Sequence, residues 1–552
     1  MQHAQRISIG LLAGLLAGCS LGQAAHPAAP PAGPPATVHS RTTALAQPGP
    51  CAGSFVTHTL DYATTTRDAN VRLFESNGAG LAIGDLDDDG RLDLVFANLA
   101  GPNTILWNQG GMHFRNQPID DTNSRAVAIV DVDGDRRLDL VFTHRTGGVS
   151  FWRNTGDAQF ARGALPGVLA PAYAMAWGDL NLDGTLDLVT GSYDSELAKD
   201  QANAFLFSAG AGVYAYEQIG GAFQPRRLAP QAQALAIGLP DLNDDGRPDI
   251  LVGNDFDQAD AAWLHTGSQW VPAEPFAATA HSTMSFDQAD IDNDGQPELF
   301  STDMKPYDIS VPTMARWLPM MAAMQQHPAA NERQVMENVL QVRGADRQFH
   351  NEAARRGVAA TGWSWSAKFG DLDNDGWLDL YVVNGMIAPE LFGHLPGAEL
   401  VEQNQALRNQ GGGFFTPAPQ WGLGSAASGR SMSMADLNGD GRLDIVVNNL
   451  RAPAQLFENQ LCAGAALEVD LRWPTSKNTR AIGAQLVLET SAGRLTRDVR
   501  AGSGYLSGDS ARVHFGLPAS AALVRLYIRW PDGAVSAIEQ PGAHTLVTVT
   551  RS

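Results

Sequence analysis

Short apolar runs recur along the chain, most of them in pairs that flank an acidic segment. LAIG precedes and LVFAN follows residues 85–93, and LVFTH, LVTGS, ILVGN, LYVVN and IVVNN close later copies. Runs this short, bounded by Asp, Asn and Gly, predict strands rather than helices, so each acidic segment is a strand-to-strand loop. Beyond residue 462 the pattern changes. AALEVDLRW, GAQLVLET, LTRDVRA, ARVHFGL, LVRLYIRW and HTLVTVT alternate apolar and polar positions, which predicts a separate β-rich domain over 463–552. Two stretches break the strand pattern. ISIGLLAGLLAG, after Arg6, is too short to cross a bilayer as a stable helix. MARWLPMMAAMQQHPAANERQVMENVLQVRG, in an insertion at about 303–360, has helical composition, with Met320 and Met324 four apart and Glu337 late in a second run. A helical hairpin packed over the other elements is expected, with Met as gap-filler; a copper-binding Met cluster is the alternative.

The acidic segments share one nine-position pattern, Asp-x-Asp/Asn-x-Asp-Gly-x-x-Asp. Side chains at positions 1, 3 and 5 converge, Gly at position 6 allows the bend, position 7 offers its backbone carbonyl and position 9 returns a carboxylate. The copies are Asp85, Asp87, Asp89, Arg91 and Asp93; Asp179, Asn181, Asp183, Thr185 and Asp187; Asp241, Asn243, Asp245, Arg247 and Asp249; Asp290, Asp292, Asp294, Gln296 and Glu298; Asp371, Asp373, Asp375, Trp377 and Asp379; and Asp436, Asn438, Asp440, Arg442 and Asp444. A variant, Asp131, Asp133, Asp135, Arg137 and Asp139, has Arg136 in the Gly position and Gly134 two places early, which strains the expected bend.

An oxygen cage of this kind suits Ca²⁺, and hard donors without His or Cys disfavour Zn²⁺ and copper. Strand flanks and an acid at position 9 rather than 12 exclude an EF-hand. Two carboxylates about 4 Å apart repel by roughly 4 kcal/mol at an effective dielectric near 20, so a loop holding three or four should splay without a cation. The chain as a whole carries a formal charge of −21. That field repels nucleic acid, and seven divalent ions would reduce it to −7. Solvated Asp/Asn turns without metal are the alternative.

The seven loops begin 46, 48, 62, 49, 81 and 65 residues apart, a periodicity that suits stacked four-stranded blades closed into a ring. The loops, with phrases such as NTILWNQGGMHF, VSFWRNTGDAQF and AQLFENQ, resemble the FG-GAP or VCBS repeat of integrin α-subunit propellers. NTRAIGAQLVL, VRAGSGYLSGDSARVHFGL and VRLYIRWPDG resemble the ASPIC/UnbV domain that follows such propellers in the cartilage acidic protein family and its bacterial relatives. The resemblance implies an all-β chain: a seven-bladed β-propeller over 51–462 with a helical insertion, then a small C-terminal β domain, in an extracellular setting.

At the N-terminus, Arg6, the apolar run and small residues form an export signal over 1–18. Leu16-Ala17-Gly18-Cys19 resembles the lipobox of bacterial lipoproteins, which implies acylation of Cys19, and Ser20 resembles outer-membrane sorting. Residues 19–50, rich in Ala and Pro, are expected to be a semi-rigid spacer. Cys51 and Cys462 bracket the repeats; in an exported chain a disulfide is expected, with two buried thiols as the alternative.

No His-Glu-x-x-His, phosphate-binding Gly-Lys-Ser/Thr, Gly-x-Ser-x-Gly or Cys-x-x-Cys motif is present. Trp363 and Trp365 fit a blade core better than a sugar platform, and GSGYLSGD reads as a Gly-rich turn. The expected function is that of a calcium-binding, lipid-anchored cell-surface module for binding, adhesion or scaffolding, with a protein or glycan partner and no nucleic acid. The alternative is a carbohydrate-active enzyme or an accessory subunit of an envelope enzyme complex.

Overall fold

The computed structural model describes residues 31–552, apart from residues 50, 69–70, 72–73, 146, 202–210, 257, 325–332 and 519. The export signal and Cys19 lie outside the described residues. Seven four-stranded antiparallel units follow one another around an axis. Their axial strands are Leu81–Gly84, Ser124–Val130, Ala174–Gly178, Ala234–Gly238, Phe286–Ala289, Gly362–Gly370 and Gly429–Ala435, for blades 1 to 7. Small residues in these strands let neighbouring blades approach at the axis; a Cβ on Gly84 would come within 2.9 Å of the Ile129 side chain. The protein is therefore the expected all-β seven-bladed propeller followed by a small β domain.

The ring closes with a strand from the other end of the repeats. Ser54–Ala63 pairs with Pro453–Gln460 as the outer strand of blade 7. Cys51 and Cys462 form a disulfide beside it, with Cα atoms 5.0 Å apart. Closing a loop of 411 residues is worth about 6 kcal/mol in the chain-entropy picture, an upper figure because the paired strand already restrains both ends.

A repeated side-chain bond joins the blades. The third strand of most blades ends in Asn, and its amide donates to two carbonyls, one in its own blade and one in the preceding blade. Asn108 reaches Leu92 and Leu437, Asn154 reaches Leu138 and Leu86, Asn409 reaches Leu378 and Ile291, and Asn459 reaches Leu443 and Leu372, all at 2.7–3.1 Å. Gln218 reaches Val132 and Arg343 reaches Leu242 in the same way. His265 holds this position in blade 4 and stacks on Trp270 instead, so the junction of blades 3 and 4 lacks this bond among the described residues.

The C-terminal domain is a two-sheet sandwich. One sheet runs Val38–Ala44, Thr545–Arg551, Ala466–Arg472, Val513–Gly516; the other runs Gly493–Asp498, Gln485–Thr490, Leu523–Arg529, Val535–Glu539. Its first strand corrects the sequence reading, in which 19–50 was entirely spacer. The run VHSRTTA at 38–44 is almost wholly exposed and carries no core signal, yet Val38–Ala44 adds to the edge of Thr545–Arg551 by backbone pairing. The apolar core of this domain, with Leu467, Leu488, Phe515, Ile528 and Val549, is continuous with Val130, Trp177 and Tyr216 of blades 2 and 3.

The insertion also differs from expectation. Among the described residues it holds helix Val311–Met324 and a single helical turn, Ala353–Arg356, and Met320 packs with Trp317, Trp363 and Phe392 in the main core, as gap-filling predicts. The second helical run falls partly on 325–332, outside the described residues. From Gln334 onward the chain is extended: Gln334–Val335 pairs with Thr279–Ala280, and Val339–Arg343 is the third strand of blade 5. The alternation in VLQVR outweighs the helix-forming composition before it. Glu337 bonds Lys305 at 2.5 Å. Trp363 and Trp365 are buried in the axial strand of blade 6, as expected.

Candidate metal centres

Every acidic segment joins the first and second strands of its blade, so all seven loops lie on one face of the ring. Their backbones are alike. The first Asp accepts the N–H of position 6 in each: Gly90, Arg136, Gly184, Gly246, Gly295, Gly376 and Gly441. The N–H of position 7 donates to position 5, at 2.7–3.0 Å, from Arg91, Arg137, Thr185, Arg247, Gln296, Trp377 and Arg442. Two residues of each loop are left-handed, positions 4 and 6. Arg136 keeps the bend at φ 76°, with Gly134 at φ 78°, so the variant loop retains the fold of the others and carries its strain at Arg136. The left-handed fourth position was not foreseen, although Gly134 and Gly439 mark it in the sequence.

The ninth acid has a structural task as well. One oxygen accepts the N–H of position 2, as with Leu86 to Asp93 and Leu372 to Asp379, and the other accepts an N–H from the third strand, as with Asn108 to Asp93 and Asn409 to Asp379. Glu298 makes the first of these bonds, through Ile291. The acid thus clamps the loop to its blade.

Acid groups converge most closely in four loops. Carboxylate oxygens lie within 4.8 Å of one another in Asp85, Asp87 and Asp89; in Asp131, Asp133 and Asp139; in Asp290, Asp292 and Asp294; and in Asp371, Asp373 and Asp379. Asp85 Oδ1, Asp290 Oδ1, Asp292 Oδ1 and Asp373 Oδ1 are buried with no hydrogen-bond partner. An orphaned buried carboxylate oxygen is expensive, and a cation answers it. Burial pushes Asp85 up to about 6, Asp93 and Asp290 up to about 7, and Asp139, Asp187 and Asp371 up to about 8, with neighbouring acids adding to the shift in each loop. The residues at 85–93, 290–298 and 371–379 therefore fit a hard divalent ion. The copies at 179–187, 241–249 and 436–444 share the backbone pattern without so tight a convergence.

The variant loop is answered by the protein itself. Asp131 accepts the N–H groups of Gly134, Asp135 and Arg136 and the Thr479 hydroxyl. Arg153 Nε lies 2.6 Å from Asp133 and its Nη2 3.0 Å from Asp135, which Arg137 also pairs. Arg408 spans Asp373 and Asp375 similarly, but there Asp373 Oδ1 stays without a partner.

The C-terminal domain covers this same face. Arg480 pairs Asp88, Thr479 bonds Asp131, Ser476 and Asn478 bond Gly184, and His514 contacts the Gly441 carbonyl. Arg497, buried, sits under the fields of Asp290 and Asp371. At Gly516 the packing is so close that a Cβ would lie 2.1 Å from Asp371 Oδ2. Glu468 is 2% exposed, its Oε2 has no hydrogen-bond partner, and burial together with Asp436 and Asp440 raises its carboxyl to about 8. None of these partners was legible as a site residue in the sequence.

From this domain GSGYLSG, residues 502–508, enters the propeller channel. It is more than a turn. Gly508 pairs with Ala82 of blade 1, the Leu506 carbonyl accepts Val127 N–H of blade 2, and Gly504 N–H donates to Phe286 of blade 5. Tyr505 is fully buried at the axis, its N–H on Ser366 Oγ and its hydroxyl against that of Tyr173.

Two family models match the two parts of this architecture. Residues 85–142, 131–190, 241–301 and 397–447 match the FG-GAP-like repeat, and residues 474–552 match the ASPIC and UnbV family. A curated relative is integrin alpha-7 of Rattus norvegicus, 32% identical over 145 residues, which are 23% of this chain and 12% of that protein. The chain thus spans about an eighth of that relative's length. Solved structures with similar coordinates include the Pan2 WD40 domain of Neurospora crassa, at 8% identity and TM-score 0.39 over 70% of this chain and 90% of that one. YCF48 from Cyanidioschyzon merolae is another, at 12% identity and TM-score 0.36 over 69% and 96%. The chain carries FG-GAP-like repeats in a seven-bladed propeller, capped on its acidic face by a C-terminal ASPIC and UnbV domain.

Proposed function

We propose that the chain is a calcium-binding module for binding, adhesion or scaffolding, exported from a bacterial cell and held at the outer membrane by lipid on Cys19, with a protein or glycan as its surface partner. Its relation to the cartilage acidic protein family, suggested by repeats followed by an ASPIC and UnbV domain, belongs to the same reading. The observation that carries calcium is the set of buried carboxylate oxygens without partners at Asp85, Asp290, Asp292 and Asp373. Asp85, Asp87 and Asp89, the 290–294 acids, and Asp371, Asp373 and Asp379 would hold the ions. A bound divalent ion would neutralise the loops and tie their oxygens together. The face that carries them is covered by the C-terminal domain, so the ions support the rigidity of the assembly, while recognition falls to the other surfaces of the wheel.

Helix Val311–Met324, between the second and third strands of blade 5, stands on the opposite face, with Ile309 and Val311 above 80% exposed. Elements of this kind on a rigid scaffold often carry recognition. The triple variant Ile309→Asp, Val311→Asp, Leu318→Asp, which changes only exposed side chains, is expected to abolish capture of a surface partner and to leave calcium-dependent melting intact. Unchanged capture would count against that surface. Turnover of acidic polysaccharides by the purified protein would replace the binding reading with the enzymatic one. For the lipid, a Cys19→Ser variant should move from the membrane fraction to the soluble fraction.

A further inference from the structure

The segment 502–508 does not fill the propeller channel evenly. It bonds the axial strands of blades 1, 2, 5, 6 and 7. Beside blades 3 and 4 it leaves a cavity of about 820 Å³ that extends to blades 2 and 5 and to the C-terminal domain; Ala174, Ala176, Ile237 and Gly238 line it together with Gly502 and Gly504, and charged groups such as Asp241, Arg247, Arg500 and Arg529 line the rest. In these two blades the axial strands Ala174–Gly178 and Ala234–Gly238 pair with a neighbour on one side only. Apart from Ala234 N–H, which donates to the Ser192 carbonyl, their channel edges have no backbone partner among the described residues, and Met175, Ala176, Ile237 and Gly238 are half-buried where the corresponding strand of blade 1 is fully buried. Trp177 on its wall is 4% exposed, and its buried Nε1 has no partner.

We propose that this half of the channel is a peptide site, where an extended, small-residue segment of a partner protein adds backbone to the open edge of Ala174–Gly178 or Ala234–Gly238. The inference rests on the reading of the chain as a binding module. Its chemistry is displayed by the molecule's own segment, which meets the neighbouring axial strands through main-chain bonds and needs Gly to come so close; a Cβ on Gly508 would lie 2.6 Å from that of Ala82. An exposed sheet edge next to a cavity is the geometry of strand addition, in which backbone bonds supply affinity and small pockets supply selectivity. A saccharide fits less well. Sugar rings stack on open aromatic faces, whereas the Trp177 and Trp530 rings on this wall are 4% and 1% exposed.

The test uses the full-length protein with calcium and the synthetic heptapeptide GSGYLSG, with maltotriose as comparison, read by titration calorimetry and by amide hydrogen exchange. The expected result is saturable one-to-one binding of the peptide, with added protection confined to 174–178 and 234–238. Ala176→Trp should weaken it at least tenfold. So should Gly238→Val, whose Cβ meets only ordinary contacts at 3.7–3.8 Å and should fold. No binding, protection elsewhere, loss of protection at 502–508 through displacement, or binding of maltotriose in place of the peptide would each overturn the site. Capture of a surface partner through the 311–324 helix is read separately, so that a failed peptide titration overturns the channel site while the binding-module reading stands.

Discussion

The Tyr505 hydroxyl lies 2.6 Å from the Tyr173 hydroxyl on the propeller axis, 332 residues away in sequence. The contact joins the C-terminal domain to blade 3 at the centre of the ring. Around it, Trp365 packs at 5.1 Å from the Tyr505 ring, and the buried Arg430 and Arg125 guanidinium groups lie over Trp365 and Tyr173. The domain is therefore keyed into the propeller.

Shortening Tyr505 should loosen that key. Tyr505→Phe removes one hydrogen bond and is expected to cost about 1 kcal/mol. Tyr505→Ala opens a hole at the axis and should cost about 3–5 kcal/mol. Urea unfolding of both variants measures the difference, and equal stability of Tyr505→Ala and the parent would show that the segment contributes no packing.

The variant loop should stay closed by Arg153 rather than by an ion. Elemental analysis after equilibration in millimolar calcium is expected to give at most one ion for each of the other loops. Arg153→Gln frees Asp133 and one contact of Asp135, so it should raise the calcium content by one. An unchanged content would mean that Thr479 and the backbone N–H groups alone suffice to satisfy the loop.

Glu402 gives stability a pH dependence away from the loops. It is 4% exposed and accepts N–H bonds from Trp363 and Trp317, yet burial raises its carboxyl to about 7. A carboxyl raised in the folded state binds its proton more tightly there than in the unfolded chain. Its contribution is thus full below the ordinary carboxylate range and is lost as pH rises through about 7. Glu402→Gln should be less stable in acid, because one indole or amide donor loses its acceptor, but its stability should fall less between acid and neutral pH. Parallel pH profiles for the two proteins would refute the assignment.

The strand-loop repeat, the number of blades and the place of each acidic loop were legible because each is written in a local pattern of apolar runs, Asp spacing and Gly. Other features were visible but unread. The Asn of NQGG, RNTGD and RNQGG recurs at one position of the third strand, and only the folded ring shows that its amide reaches the carbonyl of the preceding blade. The ninth acid is likewise a clamp because a third strand lies beside it, which spacing within nine residues does not reveal. Val38–Ala44 and the segment 502–508 carry almost no local signal, since their partners, Thr545–Arg551 and the axial strands, are hundreds of residues distant or belong to another domain. For the same reason the contacts of the C-terminal domain with the acidic face, through Thr479, Arg480, His514 and Gly516, could be found only in three dimensions.

The central claim is that divalent ions answer the orphaned carboxylates and so hold the acidic face and its cap together. Thermal melting of the full-length protein in millimolar calcium and in excess chelator tests it most directly. Each ion bound at about a hundred times its dissociation constant adds about 2.7 kcal/mol, so even three loops should raise the melting temperature substantially in calcium. Superimposable melting curves in the two conditions would contradict the account.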